Sequence, residues 1–148
     1  MNAQRRPTAN AVEERLRVSG VRTTRARRLV IEKLIRANGP RTAEEISNLL
    51  KSAVPLSSLY RTLSVLSSNG ILQRFHDGTG VARYELAEWL TGHHHHLTCT
   101  NCGSTQDIDF DGDAEKAVSR IAADAGQRTG FEVTDHRLDL EGLCPNCR

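Results

Sequence analysis

The chain has 148 residues, 38% of them hydrophobic, with one Trp, two Tyr and three Phe, and its 20 Lys and Arg against 18 Asp and Glu leave a net charge of +2. This length admits one domain or two small ones, with a core made mostly of Leu, Ile, Val and Ala. No run reaches the roughly 18 apolar residues that span a bilayer, and Met1 to Thr8 lacks the apolar stretch of a signal peptide, so no membrane partner and a cytoplasmic location are expected.

Residues 1–10 read as a disordered arm. Ala11 to Val18 suits a helix with Val12, Leu16 and Val18 as apolar positions, broken by Gly20. Thr23 or Thr24 can cap a second helix that carries Leu29, Val30, Lys33, Leu34 and Ala37 and stops at Asn38-Gly39-Pro40. Thr42 and Glu45 have capping-box spacing and open a helix with Ile46, Leu49 and Leu50 on one face. After Pro55, Ser57 can cap a further helix with Leu59, Leu63, Val65 and Leu66, ending at Asn69-Gly70. Ile71 to His76 and Val81 to Leu86 then read as two strands joined by the turn Asp77-Gly78-Thr79-Gly80.

Short helices followed by a β-hairpin are the pattern of a winged helix-turn-helix, in which the last helix enters the major groove and the hairpin lies by the backbone. That helix begins Ser57-Ser58-Leu59-Tyr60-Arg61-Thr62, whose hydroxyls, Tyr and Arg suit phosphate and base-edge contacts. A generic helical bundle with a hairpin is the alternative. Charge favours DNA. Residues 1–90 hold 15 Lys and Arg against 8 Asp and Glu, a net +7, while residues 91–148 hold 5 against 10, a net −5. A basic first part points to an anionic partner.

Ala87 to Gly92 reads as a linker. His93 to Thr100 and Gln106 to Phe110 are strand-like, and Asp111 or Asp113 starts a helix with Ala114, Val118, Ile121, Ala122 and Ala125 on its buried side, ending near Gly126. Phe131 to Leu140 makes a third strand. The expected class is α/β in the α+β sense, divided into 1–87 as a winged-helix DNA-binding domain, 88–92 as a hinge linker and 93–148 as a metal-binding domain. So small a second domain buries little surface and needs a staple.

The cysteines supply one. All four lie in C-x-x-C pairs, Cys99 with Cys102 and Cys144 with Cys147. Four soft thiolates in a closed tetrahedral set select structural Zn²⁺; an iron site of the same ligands or two disulfides are the alternatives. Three residues before the first pair come His93, His94, His95 and His96. On a strand, side chains alternate between faces, so His93 and His95 point one way and His94 and His96 the other. Each pair can chelate its own ion.

The chain resembles the ferric uptake regulator family of bacterial metal-sensing repressors. The marks are Gly20-Val21-Arg22-Thr23-Thr24-Arg25, Ser58-Leu59-Tyr60-Arg61-Thr62-Leu63, Arg83-Tyr84-Glu85-Leu86, the run from His93 to Cys102, Asp107, His136 and Cys144-Pro145-Asn146-Cys147. The resemblance implies a homodimer, with an N-terminal winged helix-turn-helix and a C-terminal α/β dimerisation domain holding the Cys₄ zinc site. It implies DNA contacts from Arg22, Ser57, Ser58, Tyr60 and Arg61 on a palindromic double-stranded operator. It implies a regulatory hinge site of Glu85, His94, His96 and Asp107, and an additional site of His93, His95, Glu115 and His136.

Two departures stand out. Gly39-Pro40-Arg41-Thr42 lacks the histidine that iron, manganese and peroxide sensors of the family place at the start of the third helix, and Ala87-Glu88-Trp89 lacks the cysteine of its zinc sensors. His76 and Glu88 are candidates to fill that place. A nitrogen and oxygen donor set accepts Zn²⁺, Fe²⁺, Mn²⁺ or Ni²⁺. The expected function is a metal-dependent repressor, not an enzyme, controlling zinc or iron uptake genes. The alternatives are a zinc-dependent hydrolase, for which no H-E-x-x-H occurs, and a metal-buffering protein without DNA binding.

Overall fold

Helix ends that the sequence writes out in side-chain chemistry frame the first half of the computed structural model, which describes residues 9–148. The chain divides into two units, the first ending at His93 and the second running from His94 to Arg148. The disordered arm expected for residues 1–10 falls outside the described residues up to Thr8; Ala9 and Asn10 already belong to helix α1 (Ala9–Val18), which buries Val12 and Leu16 but leaves Val18 exposed. Helix α2 (Arg25–Ile35) is capped by Thr24, whose Oγ1 accepts from the Arg27 N–H at 3.3 Å. It ends short of the expected Ala37.

A two-residue strand β1 (Arg41–Thr42) leads into α3 (Ala43–Leu50). The capping box is complete: the Glu45 N–H donates to Thr42 Oγ1 at 3.1 Å and the Thr42 N–H to Glu45 Oε2 at 2.7 Å. Ile46 and Leu50 are buried, while Leu49 turns outward. Helix α4 (Leu56–Ser68) starts one residue earlier than a Ser57 cap would require. Pro55 takes the cap position with φ −58° and ψ 146°, making no side-chain cap bond, so Ser57 is an exposed first-turn residue. Proline's fixed φ suits a helix entry without any donor.

Strands β2 (Leu72–His76) and β3 (Ala82–Leu86) form the expected hairpin in register, Leu72 opposite Leu86 and His76 opposite Ala82. β1 adds to the free side of β3, giving a three-stranded sheet of order β1-β3-β2. The core beneath it is Leu16, Val30, Ile46, Leu59, Leu63, Leu66 and Ile71, each at most 1% exposed. Burial of one such side chain contributes about 1.5–3 kcal/mol. The stretch from Ala87 to Gly92, expected as a linker, carries a single-turn helix α5 (Glu88–Thr91) whose Leu90 is buried.

The hairpin tip is held by one carboxylate. Asp77 Oδ1 accepts from the Thr79 N–H at 2.9 Å, the Thr79 hydroxyl at 2.6 Å and the Val81 N–H at 3.1 Å, and Oδ2 accepts from Arg83 Nε at 2.8 Å. Arg83 also reaches Glu45 Oε2 at 3.3 Å, so the tip is tied to the α3 capping box. Burial works to raise the Asp77 pKa, but the Thr79 and Arg83 hydrogen bonds with the two backbone donors outweigh it and lower it to about 2.

In the second unit, β4 (His95–Cys99) lies between β5 (Thr105–Ile108), antiparallel, and β6 (Asp139–Gly142), parallel. All three strands are shorter than the sequence pattern suggests. Phe131 to Leu138, expected as strand, has no ladder partner among the described residues of this one chain. Helix α6 (Gly112–Thr129) is capped by Asp111, whose Oδ1 accepts from the Ala114 N–H at 2.8 Å. It runs past Gly126 and stops at Gly130, which adopts φ 75°. Gly126 serves a different purpose: a Cβ there would lie 2.8 Å from the Phe131 carbonyl oxygen and 3.0 Å from the Val133 side chain. The glycine permits that close approach. Ile121, expected to be buried, is 70% exposed, and Phe131 is 76% exposed.

Candidate metal centres and nucleic-acid interface

Parallel pairing of β6 with β4 sets Gly142 opposite Cys99 and so brings the last C-x-x-C beside the first. The four cysteine sulfurs all lie within 4.8 Å of one another. Cys102 Sγ is 3.8 Å from Cys144 Sγ, too far for a disulfide, and the Cys144 N–H donates to Cys99 Sγ at 3.4 Å. The backbone N–H groups of Cys102 and Cys144 hold the Cys99 thiol down at about 6 against the opposing effect of burial. Asn101 pulls the Cys147 thiol the same way, yet the neighbouring Cys144, Cys102 and Cys99 sulfurs together with burial push it up to about 11. One sulfur ionises readily and the crowd resists further charge. A divalent cation relieves that crowding, and the all-sulfur donor set fits Zn²⁺.

Only His95 and His96 of the histidine run lie within β4; His93 and His94 precede it. His94 and His96 share one face, their rings 5.1 Å apart in an edge-on arrangement. Asp107 is the register partner of His96 across the β4–β5 ladder. Its Oδ1 lies 3.9 Å from His94 Nε2 and 3.8 Å from His96 Nε2. These separations exceed hydrogen-bond length and resemble those between ligands of a common ion. Both imidazoles are buried. Two neutral nitrogens and one carboxylate oxygen suit a first-row divalent metal.

His95 points to the other face, where Glu115 of α6 joins it to His136. Glu115 Oε2 lies 3.0 Å from His95 Nε2, and Oε1 lies 2.9 Å from His136 Nε2. The His95 and His136 rings stack at 5.4 Å, with Phe110 4.7 Å from His95 on the same face. An ion between these three would find two nitrogens and one carboxylate.

The remaining predicted ligands belong to the first unit. Glu85 is buried on β3, and His93 closes that unit with Nδ1 3.4 Å from Glu88 Oε1. Glu88 is therefore engaged with His93, and His76 is exposed at the end of β2. Sequence reasoning missed Asp139, whose Oδ1 is 3.1 Å from His96 Nδ1. No spacing rule marks it; only the parallel register, which sets His96 opposite Asp139, reveals it.

On the first unit, Ser57, Tyr60 and Arg61 are exposed and Ser58 is half-buried, while Leu59, Thr62 and Leu63 on the same two turns are buried. Tyr60 keeps 53% of its surface exposed. The first turn of α4 carries no acidic side chain, so a phosphate would meet only the positive end of the helix there. Arg22 is exposed ahead of α2.

A profile of the "Ferric uptake regulator family" matches residues 18–141. The chain is 31% identical over 137 residues to the peroxide operon regulator of Bacillus subtilis, covering 90% of this chain and 89% of that protein. It is 34% identical over 110 residues to the ferric uptake regulation protein of Synechococcus elongatus, covering 72% and 71%. The crystal structure of the Vibrio cholerae ferric uptake regulator is similar at a TM-score of 0.70 with 28% identity, over 89% of this chain and 98% of that one.

Proposed function

This chain belongs to the ferric uptake regulator family, and on that premise we propose that it is a homodimeric repressor of zinc or iron uptake genes, switched by a divalent metal at Glu85, His94, His96 and Asp107. Proteins of this family are metal-responsive transcription regulators and not enzymes; they bind DNA and are generally dimers. The hydrolase and metal-buffer alternatives fall with that assignment. Among the described residues no helix is long and apolar enough to cross a membrane, in keeping with the proposed cytoplasmic location.

The observation that carries the switch is the aim of His94 Nε2 and His96 Nε2 at one oxygen of Asp107. A bound Zn²⁺ or Fe²⁺, with Mn²⁺ also accommodated, supplies the positive charge that lets buried imidazoles and carboxylates face one another. His94, His96 and Asp107 hold their side of the site on the sheet of the second unit. Glu85 offers a buried carboxylate from the winged unit, adjacent to the core residues Tyr84 and Leu86. In this reading the bound ion favours the state in which two recognition helices fit one palindromic operator. The ion acts only by its preference for that state. Cys99, Cys102, Cys144 and Cys147 are assigned to structural zinc, and His93, His95, Glu115 and His136 to the additional site.

DNA recognition is assigned to Ser57, Ser58, Tyr60 and Arg61 at the start of α4, with Arg22 reaching the minor groove. The dimer is supported by apolar side chains that the second unit leaves outside, Ile121, Phe131, Val133 and Leu140.

The test uses a duplex selected from a random library by the metal-loaded protein, titrated anaerobically with buffered Zn²⁺, Fe²⁺ and Mn²⁺. Wild-type protein is expected to bind tightly only with metal, and the metal acting at the lowest free concentration relative to its cellular level is the candidate effector. The double change His94→Ala, His96→Ala should abolish metal-dependent binding while leaving the Cys₄ zinc in place. Intact metal-dependent binding in that variant would overturn the assignment.

A further inference from the structure

His96 lies on the middle strand of the second unit's sheet with a carboxylate opposite it on each side, Asp107 on β5 and Asp139 on β6. The two acids address opposite nitrogens of one ring. His96 Nε2 is 3.8 Å from Asp107 Oδ1, whereas His96 Nδ1 is at hydrogen-bond distance from Asp139 Oδ1, 3.1 Å. A carboxylate at neutral pH can only accept, so Nδ1 carries the proton and donates it. In the neutral ring, the form that can bind a metal, the lone pair is then on Nε2, the nitrogen turned towards Asp107.

We propose that Asp139 is a positioning residue for the metal switch, locking His96 in the tautomer and orientation that present Nε2 as a ligand. This rests on the reading of His94, His96 and Asp107 as a metal site. The contrast with Glu115 sharpens it. Glu115 lies between two imidazoles, 3.0 Å from His95 Nε2 and 2.9 Å from His136 Nε2, and so is placed as a co-ligand of both. Asp139 approaches the far nitrogen, with the ring between it and the site, and so acts through His96. A carboxylate behind a ligating imidazole fixes its rotation and raises its basicity.

Asp139 is itself held in place. The ladder of β6 against β4 continues from it through Leu140, Glu141 and Gly142, and the His96 N–H donates to the Leu138 carbonyl at 3.3 Å. Arg137 Nε lies 3.6 Å from Asp139 Oδ2. Two residues beyond β6 comes Cys144, so the strand that carries Asp139 is anchored at its other end by the cysteine cluster.

The test uses the full chain with its cysteine site loaded with one Zn²⁺. Long-range ¹H–¹⁵N correlation spectra of the wild type, taken at a pH where the His96 ring is neutral, should show it protonated at Nδ1; a neutral ring protonated at Nε2 alone would overturn the proposal without any variant. Chelator competition then measures the affinity of the remaining sites for Zn²⁺ and Co²⁺. Asp139→Ala should weaken the site that His96→Ala removes by about 10–100-fold. Asp139→Asn, which keeps an oxygen acceptor, should lose less. Retained cysteine-site zinc and an unchanged circular dichroism spectrum show that the fold survives, and if Asp139→Ala does not fold, the Asn variant and the wild-type tautomer decide. If His96→Ala itself leaves affinity unchanged, the metal-site reading is at fault. If His96→Ala removes a site that both Asp139 variants retain at full affinity, the positioning role is wrong.

Discussion

Asp77 shows how one side chain can set the pH response of the winged unit. Its pKa is lowered from 3.8 to about 2, so its ionised form stabilises the fold fully above the higher value. That contribution is lost as pH falls through about 2. Urea unfolding followed between pH 5 and pH 2 should therefore show a steep acid limb that Asp77→Asn flattens. At neutral pH, Asp77→Ala should cost about 3 kcal/mol, because it strips a partner from Arg83, whose side chain is 5% exposed. Arg61 is the converse case, an exposed side chain whose loss the fold should tolerate. Arg61→Ala is expected to weaken operator binding by about 1–3 kcal/mol with melting temperature and metal content unchanged. Equal loss of metal and DNA binding would mean that the variant is misfolded.

The elements differ in how much of them local chemistry writes. Thr24, the Thr42–Glu45 box and Asp111 mark three helix starts because each supplies an acceptor to an orphan backbone N–H. Ser57 has the same chemistry and is not a cap, since Pro55 had already turned the chain. Gly126 looks like a stop signal in the sequence, but the helix passes through it because its role is contact with Phe131 and Val133. Gly126→Ala, which would favour an isolated helix by about 1 kcal/mol, should instead destabilise this unit, because the added Cβ meets a backbone oxygen. Thermal melting of the variant checks the sign. β1 could not be read at all, as two residues carry no periodicity and exist as a strand only through pairing with β3.

For the whole molecule, the buried apolar cluster lies in the first unit, whereas the second gathers its four cysteines within 4.8 Å of one another. Stripping zinc with a strong chelator should unfold residues 94–148 and leave the helices of the winged unit intact, as read by hydrogen exchange. A zinc held by such a set would contribute roughly 10–16 kcal/mol of apparent binding energy. The sequence by itself determined the two-part plan, the winged-helix pattern, the cysteine pairing as a set and the division of the histidines between two faces. Each of these is written in local periodicity, in short-range capping chemistry or in metal-ligand spacing. Tertiary structure alone decided the rest: the third strand of the wing, the true end of α6, the exposure of Ile121 and Phe131, and the carboxylate behind His96. Asp139 is 43 residues from His96, and a contact of that range is set by strand order and register, which no local pattern encodes.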